Sequence, residues 1–111
     1  MSKSFRLQEL VKVVTNLSQI KQDAVDVGGF RHVVIQVRVP VKDTAAGALL
    51  YIQESNVLED EAFTDIPNVT VDLFASSNKV IRLTDTARFL RWRVGGLTTS
   101  VQFMADGLAR T

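Results

Sequence analysis

Two stretches in which apolar and polar residues alternate constrain the fold of this chain more than any other feature. They cover residues 33–39 and 90–94. Because successive side chains of a strand point to opposite faces, such alternation gives each strand one apolar and one polar face. The apolar faces carry Val33, Ile35, Val37 and Val39 in the first stretch and Leu90, Trp92 and Val94 in the second. Half-buried strands of this kind predict an all-β fold, an antiparallel β-sandwich or jelly roll of about eight strands.

The segment before these strands is compatible with two structures. The length of 111 residues suits one domain. Residues 5–20 have apolar positions at helical spacing, with Ser4 in the N-cap position, but Val11, Val13, Thr15 and Leu17 also alternate as in a strand. We therefore predict a sandwich domain over residues 25–111. Residues 1–24 would form an N-terminal helix or arm, or a first element packed on the sandwich.

A pair of glycines near the end of the chain predicts a tight turn. Residues 94–97 read Val-Gly-Gly-Leu, which is typical of a two-residue hairpin because glycine supplies the positive φ that such turns need. In that register Leu90 would lie opposite Val101 on the core face, and Arg91 and Arg93 would lie on the outer face. We therefore predict that the strands on either side of this turn pair with each other.

Charge is distributed in blocks along the chain. The net charge is +1, but residues 1–42 carry +4, residues 43–78 carry −7 without any Lys or Arg, and residues 79–111 carry +4. Such a chain can fold so that opposite charges lie on different faces, which favours head-to-tail contacts between copies. The alternative is that neighbouring strands neutralise each other within the monomer, since blocks in sequence need not become surface patches.

Residue types suited to catalysis or metal binding are scarce. The chain has one histidine, His32, and no cysteine, and it lacks the Gly-x-Ser-x-Gly motif and nucleotide-binding glycine loops. His32 lies on the polar side of its strand, where we expect it to be exposed. Acidic residues from Glu54 to Asp65 could offer oxygen ligands to calcium, but their spacing favours a solvated loop. We expect no enzymatic activity, no cofactor and no metal.

Arginines and aromatic residues are interleaved over residues 82–93, a combination that can bind single-stranded nucleic acid. Alternation sends Trp92 to the core while Arg91 and Arg93 point outwards, so we disfavour a nucleic-acid partner. No signal peptide and no apolar run of roughly 20 residues is present, so we expect no membrane partner. The absence of cysteine agrees with a location in a virion or the cytoplasm.

Several short motifs follow one another between residues 25 and 105. They are Val-Asp-Val-Gly-Gly-Phe at 25–30, the alternating strand at 33–39, Gln-Glu-Ser-Asn at 53–56, Ala-Phe-Thr-Asp-Ile at 62–66 and Phe-Leu-Arg-Trp-Arg-Val at 89–94. This layout is similar to that of small jelly-roll β-sandwich structural proteins of bacteriophages or phage-derived particles, and more distantly to discoidin-like carbohydrate-binding sandwiches. The first resemblance implies a structural subunit that decorates or connects parts of a shell or tail. The second implies exposed aromatic residues, for which the candidates are Phe30, Tyr51, Phe63, Phe74 and Phe89.

Our leading hypothesis is a non-enzymatic structural subunit of a phage or phage-like particle. It would contact copies of itself or other particle proteins. The candidate interface joins the acidic residues Glu59, Asp60 and Glu61 of one subunit to Arg91 and Arg93 of a neighbour. The alternative is a carbohydrate-binding module that binds glycans as a monomer.

The hypothesis predicts the effect of reversing both arginines. Arg91→Glu combined with Arg93→Glu should abolish assembly and leave the monomer folded, because both side chains are expected on the outer face. The measurement is the absolute mass by light scattering after size exclusion. Assembly that survives both changes would contradict the hypothesis.

Overall fold

The chain folds into an antiparallel β-sandwich, as the sequence predicted. The computed structural model describes residues 1–40, 48–73, 78–97 and 100–111. Nine strands lie in these residues: β1 (Ser2–Val13), β2 (Leu17–Ser18), β3 (Val25–Asp26), β4 (His32–Arg38), β5 (Leu49–Ser55), β6 (Thr64–Asp72), β7 (Asn78–Thr84), β8 (Phe89–Gly95) and β9 (Val101–Arg110). Short 3-10 helices cover Lys21–Asp23 and Asp60–Ala62.

The strands form two sheets. Sheet A has the order β1-β9-β4-β7, and sheet B has the order β2-β8-β5-β6, with β3 also pairing with β8. Every strand pairing within these two sheets is antiparallel. Among the described strands, β5 and β6 are the only consecutive ones that pair with each other, and most connections cross from one sheet to the other. Contacts between distant parts of the sequence therefore hold the sandwich together.

The two alternating stretches supply the facing layers of the core, and this prediction is confirmed. The apolar side chains of β4 and β8 that were expected inside are buried: Val33, Ile35, Val37, Leu90, Trp92 and Val94. The ring of Trp92 meets the ring of Phe103 edge to face at a centroid distance of 5.0 Å, which joins β8 of sheet B to β9 of sheet A. The indole Nε1 of Trp92 donates to Oε1 of Gln8 at 3.0 Å, so the buried ring keeps its hydrogen bond.

The N-terminal segment that was compatible with two structures forms a strand. β1 lies along the edge of sheet A and pairs with β9, with register shifts between Arg6 and Gln8 and between Gln8 and Val11. These irregularities still let Leu7 and Val13 reach the core. Because each shift interrupts the period of two, the apolar positions of β1 also fit helical spacing, which explains the ambiguity in the sequence.

The prediction of a hairpin at residues 94–97 is wrong. Leu90 pairs with Val25 and Glu54, and Val101 pairs with Val13, so β8 and β9 lie in different sheets. Both edges of β8 are already occupied, one by β5 and the other by β2 and β3, which leaves no edge for β9. Gly96 does adopt a positive φ of 70°. Gly95 is the last residue of β8, so only Gly96 lies at a bend, and the next described strand, β9, belongs to sheet A.

The close approach of β1 and β9 depends on one glycine. Phe5 is paired with Gly107, and a Cβ atom added at Gly107 would overlap the ring of Phe5. We predict that Gly107→Ala lowers the free energy of unfolding by about 1–3 kcal/mol, because overpacking forces the ring to shift. Urea unfolding measures this loss.

Phe5→Leu provides the matched test of that contact. In the double variant, Gly107→Ala should cost less than it does beside Phe5, because the smaller side chain leaves space for the new methyl group. Strictly additive effects of the two substitutions would contradict the overlap as the cause.

Candidate protein-interaction surface

The two arginines of the candidate interface lie on the outer face of sheet B, in rows set by the strand register. Gln53 of β5 lies opposite Arg91 of β8, and Asp65 of β6 lies opposite Gln53. In the next row, Tyr51 lies opposite Arg93. Polar side chains of three adjacent strands therefore meet on this face.

Arg91 is held by a set of hydrogen bonds beneath another part of the chain. Its Nε donates to Oε1 of Gln53 at 2.8 Å, and its Nη1 donates to the carbonyl of Gln19 at 3.1 Å and to Oδ1 of Asp60 at 2.8 Å. The guanidinium carbon also lies 4.2 Å from the centre of the Phe63 ring. The chain around Asp60 and Phe63 thus covers the arginine, which is only 5 % exposed.

This burial changes what a charge reversal at Arg91 would do. Alternation places Arg91 on the outer face as expected, but the covering segment keeps it from solvent. Arg91→Glu would put a second carboxylate beside Asp60 in a confined site and would remove the hydrogen bond to Gln53. The burial of Arg91 argues against the expectation that the monomer tolerates the double reversal, which stays a prediction, and it shows that Arg91 is not a freely exposed contact residue.

Arg93 forms a second ion pair on the same face. Its Nη2 and Nε donate to the two carboxylate oxygens of Asp65 at 2.8 and 3.2 Å, and its guanidinium carbon lies 3.9 Å from the centre of the Tyr51 ring. Gln53 donates to Asp65 at 3.0 Å and so links this pair to Arg91. The hydrogen bond from Arg93 lowers the pKa of Asp65, although partial burial opposes the change, and it raises the pKa of Arg93.

The acidic and arginine-rich parts of the chain therefore neutralise each other partly within the monomer. Arg91 pairs with Asp60 and Arg93 pairs with Asp65. Neutralisation within the monomer is the alternative to charge segregation that the sequence left open. It accounts for the arginines, but it leaves most of the acidic segment in contact with solvent.

Glu59, Asp60 and Glu61 are all exposed. The carboxylate of Glu59 lies 3.7 Å from Nζ of Lys21, a weak contact on the surface. Asp60 keeps a side-chain exposure of 66 % even though it binds Arg91. Glu61 forms no ion pair with any described residue. The three acids therefore present negative charge outwards from a segment that Arg91 fixes from below.

Two apolar side chains next to these acids were not singled out by the sequence. Val57 is 51 % exposed and Leu58 is 43 % exposed. An apolar pair in a loop carries no periodic signal, so its burial cannot be read from the sequence. We refer to residues 57–61 as the docking segment, since they combine exposed apolar and acidic side chains.

The described residues also bear on metal binding and on the presence of a membrane-spanning helix. No group of three or more His, Asp and Glu side chains there could hold a metal ion. His32 is exposed on β4, as predicted. None of the described helices has both the length and the apolar character needed to span a membrane.

The aromatic residues considered for glycan binding are mostly covered. Tyr51, Phe63 and Phe89 each lie beneath an arginine guanidinium, at 3.9, 4.2 and 4.9 Å from their ring centres. Phe30 is partly buried and packs against the core, and Phe74 lies outside the described residues. The four described rings of this set are therefore each covered by an arginine or packed against the core, which argues against sugar stacking on them.

The position of Arg91 predicts a stability effect. Arg91→Ala should lower the free energy of unfolding by about 1–3 kcal/mol, because it leaves the buried Gln53 amide and the Gln19 carbonyl without their partner. Arg88→Ala is the control, since Arg88 pairs with Asp26 at 3.0 Å but is largely exposed. Urea unfolding should give a clearly smaller loss for Arg88→Ala. Equal losses would show that the buried network has no special weight.

The lowered pKa of Asp65 predicts a dependence of stability on pH. The folded state holds the carboxylate charged to lower pH than the unfolded state, whose pKa is near the ordinary value of 3.8. The stabilisation is therefore complete above that value and disappears as the pH falls through the folded-state pKa. Asp65→Asn should make the unfolding free energy fall less steeply between about pH 5 and pH 2, the range in which carboxylates titrate. A decline as steep as that of the unmodified protein would contradict this assignment.

Comparison with known proteins identifies the fold. No family model and no curated protein sequence matches this chain. A similar solved structure is the SPBc2 prophage-derived protein YomS, with 11% identity and a TM-score of 0.51 over 98% of this chain and 92% of that chain. Another is a structure from Bacillus endospore appendages, which are described as a family of disulfide-linked pili, with 12% identity and a TM-score of 0.52 over 99% of this chain and 90% of that chain. These likenesses establish a shared β-sandwich fold.

Proposed function

We propose that this chain is a non-enzymatic structural subunit that works through protein–protein contacts and associates with copies of itself. The observation that carries the proposal is the docking segment, where exposed Val57 and Leu58 adjoin the exposed acids of residues 59–61. Apolar side chains bordered by charged ones are typical of the centre and rim of a protein interface.

The docking segment is held in shape before any partner binds. Val57 donates its backbone N–H to Oγ of Ser55 at 3.1 Å, and Ala62 donates its backbone N–H to the carbonyl of Glu59 at 3.0 Å. The bond from Arg91 to Asp60 adds an anchor from the sheet beneath. A surface that is already ordered loses little conformational entropy on binding, which favours its use as a contact surface.

The five candidate interface residues then have different roles. Glu59, Asp60 and Glu61 supply the charge that faces a partner. Arg91 is a positioning residue that holds Asp60 and the covering chain in place. Arg93 is partly exposed, pairs with Asp65 and is linked to Arg91 through Gln53.

The similar structures support a role in an assembled particle. One of them is described as prophage-derived, and the other is described in connection with pili. We infer that this chain serves a phage or phage-like particle, as a decorating, capsid-associated or tail-connecting protein found in the virion or the cytoplasm. Because these 111 residues contain no cysteine, they would form no disulfide with a neighbour, unlike disulfide-linked pili.

The strand order supports a jelly roll as the finer description of the fold. If β2 and β3, which both pair with β8, are counted as one interrupted strand, the chain has eight strands in the residues described. The sheets then have the orders first-eighth-third-sixth and second-seventh-fourth-fifth. This is the order of an eight-stranded jelly roll, an architecture common in capsid proteins.

The proposal predicts the solution mass. At low salt the protein should exceed its monomer mass of 12.3 kDa, and high salt should reduce the mass because it screens the charges. Glu59→Lys with Glu61→Lys should reduce the mass to that of the monomer at both salt concentrations. Light scattering after size exclusion measures it.

The matched control is Glu9→Lys with Asp23→Lys. These acids make the same change in net charge, but they line a cleft with Arg6, Leu7 and Gln8 of β1 and do not belong to the docking segment. The control variant should associate like the unmodified protein. A monomer mass of the unmodified protein at every salt concentration would overturn self-association, and an equal effect of both double variants would overturn the role of the docking segment.

A further inference from the structure

The outer face of sheet A carries a cluster of arginines. Residues that alternate with the buried ones point outwards from β4, β7 and β9, and the register continues their rows onto β1. Four arginines occupy outward positions: Arg6, Arg38, Arg82 and Arg110. Asp106 is the one acid within β4, β7 and β9 as the structure describes them. We term these outward residues the basic face.

This acid neutralises only part of the charge. Asp106 accepts from Nε of Arg6 at 2.8 Å and from Nη2 of Arg38 at 3.1 Å. Arg82 and Arg110 form no ion pair with any residue that the structure describes. Even when Glu9 of β1 is counted, the four arginines outnumber the two acids in the described strands of sheet A, so the basic face keeps a net positive charge.

The middle of the basic face is apolar. Val34 of β4 lies beside Leu108 of β9, and both are partly exposed. Val80 of β7, which is 41 % exposed, lies in the adjacent row opposite Gln36. Arg82 follows directly in the row of Val34 and Leu108. Arginine around a small apolar centre matches the composition that protein interfaces favour.

We propose that the basic face of one copy docks on the docking segment of a second copy. This inference rests on the proposed function and names the surface that function would need as its partner. Val57 and Leu58 would meet the apolar centre at Val34 and Leu108, while the acids of residues 59–61 would meet the arginines. The two surfaces are complementary in charge and alike in having an apolar part.

A second copy fits the basic face better than a nucleic acid does. Sequence-tolerant binding of single strands relies on exposed aromatic rings on which bases stack. The outward residues described on sheet A include no Phe, Tyr or Trp, because Phe5 and Phe103 point into the core side. Aliphatic side chains provide no ring on which a nucleic-acid base can stack. Val57 and Leu58 of a second copy, however, can pack against them.

The position of the two surfaces determines the form of the assembly. Sheets A and B are the two layers of the sandwich, so their outer faces point in opposite directions. A contact between different surfaces of identical copies is heterologous and leaves one free surface at each end. Repetition of this contact extends the assembly into a stack, which closes only if successive rotations complete a ring.

Complementary charge reversal tests the pairing of these two surfaces. The first variant carries Arg82→Glu with Arg110→Glu on the basic face, and the second carries Glu59→Lys with Glu61→Lys on the docking segment. Urea unfolding first establishes that both are folded, which is expected because all four side chains are exposed. Each variant is then measured alone, and the two are mixed in equal amounts at low salt.

The inference predicts that each variant alone has the monomer mass of 12.3 kDa and that the mixture regains the mass of the unmodified protein. In the mixture, the two variants can join through two kinds of contact between opposite charges. In one kind both surfaces are native, and in the other both surfaces carry reversed charges. Light scattering reports the mass, and electron microscopy reports whether stacks or rings form.

The possible failures are distinguishable. If the unmodified protein is a monomer under all conditions, self-association and this inference fall together. If it associates, the second variant does not, and the first variant still does, the proposed function stands and the basic face is not the partner surface. Binding of a mixed-sequence single-stranded DNA that is lost only in the first variant, with association unchanged, would instead assign the face to nucleic acid.

Discussion

The hydrogen bonds of Arg91 are the interaction on which the surface architecture of this protein depends. A guanidinium on the outer face of a sheet would ordinarily be solvated, but here it binds Gln53, Gln19 and Asp60 at once. One planar group with several fixed donors can tie a strand, a connection and a loop together. The covering loop is thereby ordered, and the acidic residues beside Asp60 are presented in a fixed position.

The sandwich separates its charges into two layers. Asp60 and Asp65 pair with the arginines of sheet B, whereas Glu61 of the docking segment is exposed and has no ion pair among the described residues. On sheet A, a single aspartate, Asp106, lies between two of the four arginines. Of the two interpretations of the charge blocks, neutralisation within the monomer is therefore confirmed for Arg91 and Arg93. Segregation of the remaining charge onto opposite faces stays a prediction.

Sequence patterns predicted those features of the fold that depend on neighbouring residues alone. The alternation in β4 and β8 identified their buried faces, because the strand period fixes which side chains share a face. Pairing between distant strands left no such signal. The positive φ expected of glycine occurs at Gly96 alone, and the partner of β8 depends on which edges other strands already occupy.

The candidate site was predictable only in its residue types. The acids and arginines at 59–61, 91 and 93 were singled out by charge, but the burial of Arg91 comes from a loop that folds over it from a distance in sequence. The exposed pair Val57 and Leu58 and the arginine cluster of sheet A arise from tertiary structure alone. No linear pattern brings Arg6, Arg38, Arg82 and Arg110 to one face.

Hydrogen exchange of backbone amides, compared at protein concentrations above and below association in one buffer, tests the central claim most directly. Ordered contact surfaces slow the exchange of the amides they cover. The account predicts increased protection confined to residues 56–63 and to the central strands β4 and β9 of sheet A. Association with unchanged protection of residues 56–63, or with protection gained only elsewhere, would contradict the claim that the segment held by Arg91 is the contact surface.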